Sequence, residues 1–324
     1  MNTILDRPID GVMRTPDERF SDLPDFPYKE NYFVYKERYR IHYIDEGPKD
    51  GNVIFLLHGE PSWSFLYRKM IPIFVQANYR VVAPDLLGCG KSDKPIKKSD
   101  YTYKLHIDIM TSLVKYLNLQ HITPFYQDWG GLIGLRVVTN EPDRFDRIVI
   151  GNTGLPDATG LQGFLGNFFF QRRVKKIGKI DEATFKSHPG FYNWIAFSQT
   201  VENFHVAKIV QGGAVNRFPI DVFNAYDAPF PDDRYKAGVR VFPALIPTQL
   251  RANHKAWKIL VNLKKPFLLT FSDKDPITKG QDKTFKKRIP DIQEHPIIDA
   301  GHFLQEDKGP ELAQVMIDFI GKSN

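Results

Sequence analysis

One carboxylate stands where a strand, a tight turn and a helix are predicted to follow one another. The apolar run 122–126 is typical of a strand, the apolar spacing of 132–138 indicates a helix, and the segment 126–131 between them reads YQDWGG. This order is that of a nucleophile elbow, in which one side chain, here Asp128, is forced outward. Because a carboxylate is ionised at neutral pH, Asp128 can attack carbon without a base. The alternative is that Asp128 only caps the helix, since Asp is a favoured cap residue.

Two later positions supply the partners of such a nucleophile. Asp275 lies in the segment 272–276 (SDKDP) after a later predicted strand, and His302 lies in 299–303 (DAGHF) after the last one. The order nucleophile, acid, histidine is that of the α/β-hydrolase fold, in which the histidine acts as a base and the acid orients it. Asp273 competes for the acid role, but we interpret it as a turn residue.

Backbone amides at the same edge can stabilise a developing oxyanion. The segment 58–61 (HGEP) ends the third predicted strand, where this fold provides one donor, the N–H of Glu60. Its partner is the N–H of Trp129, which directly follows Asp128. An Asp after a strand often forms a turn, and a lone His often has a structural role. The occurrence of all these features in this order nevertheless predicts hydrolytic chemistry.

The elements that must position these residues alternate along the chain. Strands are predicted at 32–35, 39–44, 53–57, 80–83, 122–126, 147–150, 266–271 and 295–298. Helices are predicted at 64–77, 101–117, 132–139, 250–261, 281–288 and 303–320. Such alternation favours an α/β fold with a mostly parallel sheet and helices on both faces, whose carboxyl edge carries the site.

The alternation breaks between residues 154 and 243. This stretch has no clear buried strand and is rich in aromatic residues. We interpret 154–243 as a helical cap, or lid, inserted over the active edge of the sheet. Residues 1–153 and 244–324 then form the α/β-hydrolase core domain.

Composition excludes several other classes of protein. The chain has 324 residues, 42% of them hydrophobic and 25% charged, which is an ordinary globular composition. Its net charge of +6 is spread over small groups, so no nucleic-acid surface is predicted. We see no stretch like a signal peptide and no run of about 18 apolar residues, and we therefore expect a cytoplasmic protein without membrane partners.

No metal or cofactor site is predicted either. The single cysteine, Cys89, cannot form an internal disulfide, and no His or Cys spacing is typical of zinc ligands. Cys89 follows a different strand from Asp128, so we interpret it as a buried or idle thiol rather than a nucleophile. The basic run 172–179 is compatible with a membrane-surface helix, but we interpret it as an exposed face of the cap.

Four segments closely resemble haloalkane dehalogenases of the α/β-hydrolase superfamily. They are 58–72 (HGEPSWSFLYRKMIP), 127–131 (QDWGG), 228–240 (APFPDDRYKAGVR) and 300–306 (AGHFLQE). Within the family, the chain resembles the subfamily whose acid follows the later strand, which implies Asp275 as the third triad residue. A second subfamily has a Glu and an Asn where this chain has Asn152, or a close neighbour, and Glu60.

The resemblance implies a two-step hydrolysis of haloalkanes without a cofactor. Asp128 attacks the halogen-bearing carbon, which gives a covalent alkyl ester and a halide ion. His302, oriented by Asp275, then activates water that hydrolyses the ester to a primary alcohol, while the amides of Glu60 and Trp129 hold the oxyanion. The expected partners are therefore a small halogenated alkane, water and a halide, and the expected assembly is a monomer or weak oligomer.

The leaving halide needs hydrogen-bond donors in an apolar cavity, and an indole N–H is a donor without acceptor character. Trp129 lies beside the nucleophile, and the family pattern implies Trp194 of the cap as the second halide-binding residue. Trp63 and Trp257 compete for this role, but we interpret both as packing residues.

Two cap residues, Phe191 and Phe230, are expected to line the substrate pocket. The nearest alternative function is epoxide hydrolysis, which uses the same Asp nucleophile but needs a proton donor such as Tyr192 or Tyr226; the two halide-binding tryptophans favour a dehalogenase. An esterase would carry Ser at position 128. A non-catalytic binding protein of this fold would not need a complete catalytic set.

Tyr126 departs from the family pattern. The residue two before the nucleophile is normally small because the elbow is tight, whereas this chain has a tyrosine there. We expect smaller neighbours to accommodate its ring. An elbow that turned Asp128 away from the cavity would contradict this.

Overall fold

The fold is built from alternating strands and helices. The structure, a computed structural model, describes residues 6–323. Its strands are β1 (Val12–Met13), β2 (Asn31–Tyr35), β3 (Tyr39–Glu46), β4 (Val53–Leu57), β5 (Arg80–Pro84), β6 (Lys94–Pro95), β7 (Ile122–Gln127), β8 (Ile148–Gly151), β9 (Phe267–Leu269) and β10 (Gln293–Glu294). Its α-helices are α1 (Ile71–Gln76), α2 (Tyr103–Tyr116), α3 (Trp129–Asn140), α4 (Gly160–Ile177), α5 (Glu182–Ser187), α6 (Phe191–Thr200), α7 (Val206–Gly213), α8 (Ile220–Asp227), α9 (Ala237–Leu245), α10 (Leu250–Leu260), α11 (Gln281–Arg288) and α12 (Leu304–Lys322).

Within the described residues the main sheet has eight strands, in the order β10-β9-β8-β7-β4-β5-β3-β2. The six strands from β10 to β5 are parallel to one another, whereas β3 and β2 pair antiparallel at one edge. The predicted α/β class with a mostly parallel sheet is therefore confirmed. Strands β1 and β6 form a separate ladder that the sequence did not predict, because two residues are too few to show a period.

The two central strands position the elbow and the loop that faces it. Strands β4 and β7 are buried along their whole length, as expected for strands covered on both faces. They pair in parallel with Leu57 opposite Tyr126. The chain therefore leaves both strands at the same edge of the sheet, and the segment 58–60 lies beside Asp128.

The ring of Tyr126 is accommodated by a glycine of α3. Tyr126 is fully buried, and a Cβ on Gly134 would lie 2.5 Å from two carbons of its ring. Any larger residue at position 134 would occupy the space that the ring fills. The prediction that smaller neighbours make room is confirmed, and Asp128 keeps its place at the end of the strand.

A predicted helix and a predicted strand have different bounds in the structure. The predicted helix 64–77 is divided into a short 3-10 helix (Ser64–Tyr67) and α1, in which Pro72 lies in the first turn, where its missing N–H is tolerated. The predicted strand 295–298 is regular only at the two residues before it, which form β10. The pairing nevertheless continues past Pro296, because His295 and Ile297 donate their N–H groups to the carbonyls of Leu269 (2.8 Å) and Phe271 (3.0 Å).

Between β8 and β9 the described chain forms helices and loops, from α4 to α10. Buried hydrogen bonds join these helices to the sheet-bearing part of the chain. The hydroxyl of Tyr226 in α8 donates to the carboxylate of Glu306 in α12, which also binds the guanidinium of Arg68 (Nη2 to Oε2, 2.9 Å). This network ties α8 to α12 and to Arg68, which precedes α1.

The surface of the helical segment carries the basic run 172–179, whose arginines and lysines are exposed as predicted. Cys89 is buried and not in a disulfide, which confirms its interpretation as a buried thiol. Among residues 6–323, no helix is both long enough and apolar enough to cross a membrane.

Candidate active site

Asp128 occupies a strained turn between β7 and α3. Its backbone has φ 51° and ψ −125°, a combination that costs energy and is often found at functional sites. Glycines leave room for the turn: a Cβ on Gly59 would lie 2.3 Å from Asp128 Oδ1, and a Cβ on Gly130 would lie 1.9 Å from the carbonyl oxygen of Leu57. The Asp128 side chain makes no capping hydrogen bond to α3 within the described chain. The capping alternative is therefore wrong.

The imidazole of His302 lies between two carboxylates. Its Nδ1 is 3.1 Å from Asp275 Oδ1, and its Nε2 is 3.5 Å from Asp128 Oδ2. His302 and Asp275 are both buried. The structure thus brings together three predicted residues from distant parts of the chain, in an arrangement suited to a nucleophile, a base and an orienting acid.

Asp275 is held in place by more than the histidine. Its carboxylate accepts the N–H of Ile277 (2.8 Å) and both the N–H (3.2 Å) and the hydroxyl of Thr278. Burial alone would raise the pKa of Asp275, but the charge of His302 and these hydrogen bonds lower that pKa below its usual value. Asp273 is exposed and accepts a backbone N–H (3.3 Å), as expected of a turn residue.

The two carboxylates govern the charge of His302. Burial alone would lower the pKa of its imidazole, but the charges of Asp275 and Asp128 and their hydrogen bonds raise that pKa to about 10. The two carboxylates therefore favour the protonated form of the imidazole. Esterification of Asp128 would neutralise one of the two carboxylates and so weaken the hold on this proton.

The backbone N–H of Glu60 points at the nucleophile. It donates to Asp128 Oδ1 at 2.8 Å, which is the position that an oxyanion donor requires. Sequence reasoning missed His58, which holds this loop in place. Its Nε2 accepts the N–H of Leu86 (3.0 Å), and its Nδ1 donates to the carbonyl of Gly59 (2.9 Å). The sequence shows only a His-Gly pair at a strand end, which does not reveal these contacts.

The side chain of Glu60 is buried beside Asp128. Burial, and then the charge of Asp128, raise the pKa of Glu60 well above its usual value. Both effects favour the neutral carboxylic acid form of Glu60.

Two tryptophans use their indole N–H groups within the protein. Trp63 donates to the carbonyl of Ala225 (3.2 Å), and Trp257 donates to the carbonyl of Leu155 (2.8 Å). Both side chains are buried. These contacts agree with their interpretation as packing residues and leave neither N–H for a ligand.

The indoles of Trp129 and Trp194 differ in this respect. Within residues 6–323 neither N–H donates to a protein acceptor. Trp129 is packed between Tyr103 and Phe242, with ring centroids 5.0 Å from each. Trp194 lies in α6 and packs against Phe197, with ring centroids 5.8 Å apart. Both rings are thus fixed by packing while their N–H groups stay available to an anion.

The two predicted pocket aromatics have different surroundings. Phe230, which follows α8, is 4% exposed, whereas Phe191, the first residue of α6, is 45% exposed. The ring of Phe191 contacts Phe170 and Tyr192, with centroids 6.0 Å from each. A wall of an enclosed pocket would be less exposed, so Phe230 fits the predicted role better than Phe191.

Sequence reasoning also missed the hydrogen bonds that fix the loop of His302. Asn152, which follows β8, donates through Nδ2 to the carbonyls of Gly301 (2.9 Å) and His302 (3.0 Å). It also donates to the hydroxyl of Ser272 (2.7 Å). Gln127 donates to the carbonyl of His302 at 3.1 Å. Polar residues at strand ends are the only sequence signal for these contacts.

The two tyrosines that epoxide opening could use have different contacts. The hydroxyl of Tyr226 donates to Glu306. Tyr192 is half-buried with the guanidinium of Arg173 4.1 Å above its ring. Neither contact directs a hydroxyl at Asp128.

Comparisons with known proteins agree with this geometry. A family model described as the alpha/beta hydrolase fold matches residues 52–309. Haloalkane dehalogenases of Psychrobacter cryohalolentis and Mycolicibacterium paratuberculosis are each 44% identical to this chain, covering 95% of it and 98% of their own length. A solved structure of a tetrameric haloalkane dehalogenase from Paraglaciecola agarilytica is 36% identical, with a TM-score of 0.78 over 94% of this chain and 96% of that one.

Proposed function

Because this chain belongs to the haloalkane dehalogenases of the α/β-hydrolase fold, we propose that Asp128, His302 and Asp275 carry out its hydrolysis of carbon–halogen bonds. The observation that carries the proposal is that the two carboxylate oxygens of Asp128 have different partners. Oδ1 of Asp128 accepts the N–H of Glu60 at 2.8 Å, while Oδ2 faces His302 Nε2 at 3.5 Å. One oxygen is thus placed for an oxyanion donor and the other lies beside a base.

In the first step, an oxygen of Asp128 attacks the carbon that bears the halogen. A carbon–oxygen bond forms, the carbon–halogen bond breaks, and the electron pair leaves with the halide. The halide is bound by the indole N–H groups of Trp129 and Trp194, which are free of protein acceptors in the described chain. Donors fixed in an apolar setting stabilise the charge as it develops.

In the second step, water hydrolyses the alkyl ester. Esterification removes the charge of Asp128, so the pKa of His302 falls and the imidazole can release its proton to solvent. Neutral His302 then takes a proton from water, and the hydroxide attacks the ester carbonyl. The N–H groups of Glu60 and Trp129 bind the oxyanion, and when it collapses the alcohol leaves with the proton of His302. The carboxylic acid formed on Asp128 then passes its proton to His302, which restores the starting state.

The substitution His302→Gln tests the roles of the nucleophile and the base together. Without a base the first step still occurs, because it needs only the ionised Asp128. Incubation with a bromoalkane is expected to release about one halide per enzyme and to leave an alkyl adduct on Asp128, located by peptide mass spectrometry. Continued turnover, or an unmodified Asp128, would contradict the proposal.

His254 provides a matched control for that experiment. It forms another histidine–aspartate pair, in which its Nδ1 lies 2.9 Å from Asp157. No contact joins His254 to Asp128 in the described chain. His254→Gln is therefore expected to turn over many equivalents of bromoalkane and to accumulate no adduct.

We also infer, beyond the residues of the site, that residues 154–243 act as a cap domain and that the protein is a cytoplasmic monomer or weak oligomer. The relative from Paraglaciecola agarilytica is a tetramer. Sedimentation velocity over a range of protein concentrations distinguishes a monomer or weak oligomer from such an assembly.

A further inference from the structure

A buried amide contacts the catalytic imidazole on the same nitrogen that must accept a proton. Gln127 is the last residue of β7 and is fully buried. Its Nε2 lies 3.0 Å from His302 Nε2 and 3.1 Å from the carbonyl oxygen of His302. Its Oε1 is buried without a hydrogen-bond partner among the described residues. The amide is therefore oriented by His302 alone.

The carbonyl of His302 decides which way this amide points. A carbonyl oxygen only accepts hydrogen bonds, so the nitrogen of the amide must face it. Rotation of the amide by half a turn would place two oxygen atoms 3.1 Å apart, with no proton between them. One N–H of Gln127 is thus directed at the carbonyl, and the second is available to His302 Nε2.

An N–H donor can bond to Nε2 only when that nitrogen carries no proton. The contact therefore stabilises the imidazole whose proton is on Nδ1, where Asp275 Oδ1 lies 3.1 Å away. In this tautomer Nε2 carries an electron pair rather than a proton, which is the form that can take a proton from water.

We propose that Gln127 is a positioning residue for hydrolysis of the alkyl-enzyme, which holds the backbone of His302 and opposes protonation of its Nε2. The proposal rests on the function proposed above for His302. It goes further in assigning a role to a residue that touches neither the reacting carbon nor the halide. Gln127 acts only through the histidine.

The charges around His302 explain why such a residue is useful. The groups that face the imidazole are Asp128 after β7, Asp275 after β9 and Glu60 after β4. The two aspartates favour the protonated imidazole, while burial raises the pKa of Glu60 and so favours its neutral form. In the alkyl-enzyme Asp128 carries no charge, and Asp275 still favours protonation. The N–H of Gln127 opposes Asp275 at this stage of the reaction.

The uncompensated oxygen of Gln127 indicates that the amide is not there for stability. A buried carbonyl oxygen without a donor is unfavourable, whereas an apolar side chain of similar length would avoid this cost. Gln127→Met is therefore expected to fold. It removes both N–H donors but keeps the unbranched shape of the side chain.

The test is the pH dependence of alkyl-enzyme hydrolysis in Gln127→Met. Hydrolysis requires neutral His302, so its rate rises with pH through the pKa that His302 has in the alkyl-enzyme. Because the N–H of Gln127 bonds only to the neutral form, it lowers this pKa, and its removal raises it. The acid limb of the pH–rate profile for alkyl-enzyme hydrolysis is therefore expected to move up by about one pH unit in Gln127→Met. Rapid-quench experiments with a bromoalkane measure this rate at each pH.

Steady-state constants provide a second readout. Alkylation does not use His302 as a base, so the burst of halide release is expected to keep its rate. Slower hydrolysis then makes the alkyl-enzyme accumulate, and kcat and the apparent KM fall together near neutral pH. A general loss of structure would instead reduce the burst itself.

Gln305 supplies the matched control, as a buried glutamine in α12 without a hydrogen bond to His302 in the described chain. Gln305→Met is expected to leave the acid limb in place.

If Gln127→Met does not fold, Gln127→Leu is used for the same measurement. An acid limb that stays in place or moves to lower pH in the folded Gln127 variant overturns the proposal. Failure of the proposed function would give a different result from failure of the Gln127 proposal. In that case the unmodified enzyme would show no burst of halide release and no alkyl adduct.

Discussion

Within residues 6–323, two histidine–aspartate pairs are buried, and one of these two faces a nucleophile. In the first, His302 Nδ1 is 3.1 Å from Asp275; in the second, His42 Nδ1 is 2.8 Å from Asp85. All four side chains are buried. Residue type, burial and the pairing nitrogen are the same in both, so none of these distinguishes a catalytic pair from a structural one.

The surroundings of the two aspartates make the difference. Asp85 accepts the N–H groups of Ser64 (2.7 Å) and Lys91 (2.8 Å) as well as His42, so it ties together loops that follow β4 and β5. His302, in contrast, has a further carboxylate, Asp128, 3.5 Å from its Nε2. A histidine–aspartate pair thus becomes reactive when its second nitrogen faces a group that can be attacked or can attack.

The largest expected effect is a loss of activity when the His302–Asp275 pair is broken. Asp275→Asn is expected to lower steady-state halide release by about 10³–10⁴-fold, because the imidazole loses the acceptor that fixes its tautomer. Halide release by the purified variant measures this, with circular dichroism to establish that it is folded. A folded Asp275→Asn enzyme within tenfold of full activity would remove the distinction between the pairs.

The second largest expected effect is a loss of stability when the His42–Asp85 pair is broken. Asp85→Asn is expected to lower the free energy of unfolding by about 3 kcal/mol, because buried donors lose a charged acceptor. Urea denaturation measures the loss, and halide release per folded molecule is expected to change little. If Asp85→Asn instead abolished activity in a protein of normal stability, the second pair would also be catalytic.

The smallest effect is a dependence of stability on pH. Burial alone would raise the pKa of Asp85, but the charge and hydrogen bond of His42 lead a set of interactions that lower it to about 2. Because this pKa is depressed in the folded protein, its contribution is present above the unfolded pKa and is lost as pH falls toward 2. The expected loss is about 2 kcal/mol between pH ~4 and pH ~2.

Asp85→Asn provides the control for this dependence, since an amide does not titrate. Urea denaturation at several acidic pH values is expected to give a steeper loss of stability for the unmodified protein than for the variant. Equal slopes would show that Asp85 is not the group whose protonation matters.

Much of the sheet and of the site could be predicted because the signals are local. Apolar runs mark β4 and β7, and the turn chemistry around Asp128 needs only six consecutive residues. The errors lie where contacts are made across the chain. The loop bonds of Asn152, the partners of His58 and the exposure of Phe191 depend on which elements become neighbours, and periodicity within one element does not carry that information.

The sequence by itself determined the order of the strands along the chain, the carboxylate at the elbow, and the acid and histidine after later strands. These features follow from residue type and from the period of the apolar residues. Only the tertiary structure decided which histidine–aspartate pair reaches Asp128 and which indole N–H groups have no protein acceptor. It also placed the amide of Gln127 against His302 Nε2. Hydrogen bonds depend on distances of a few tenths of an ångström, and such distances exist only once the chain has folded.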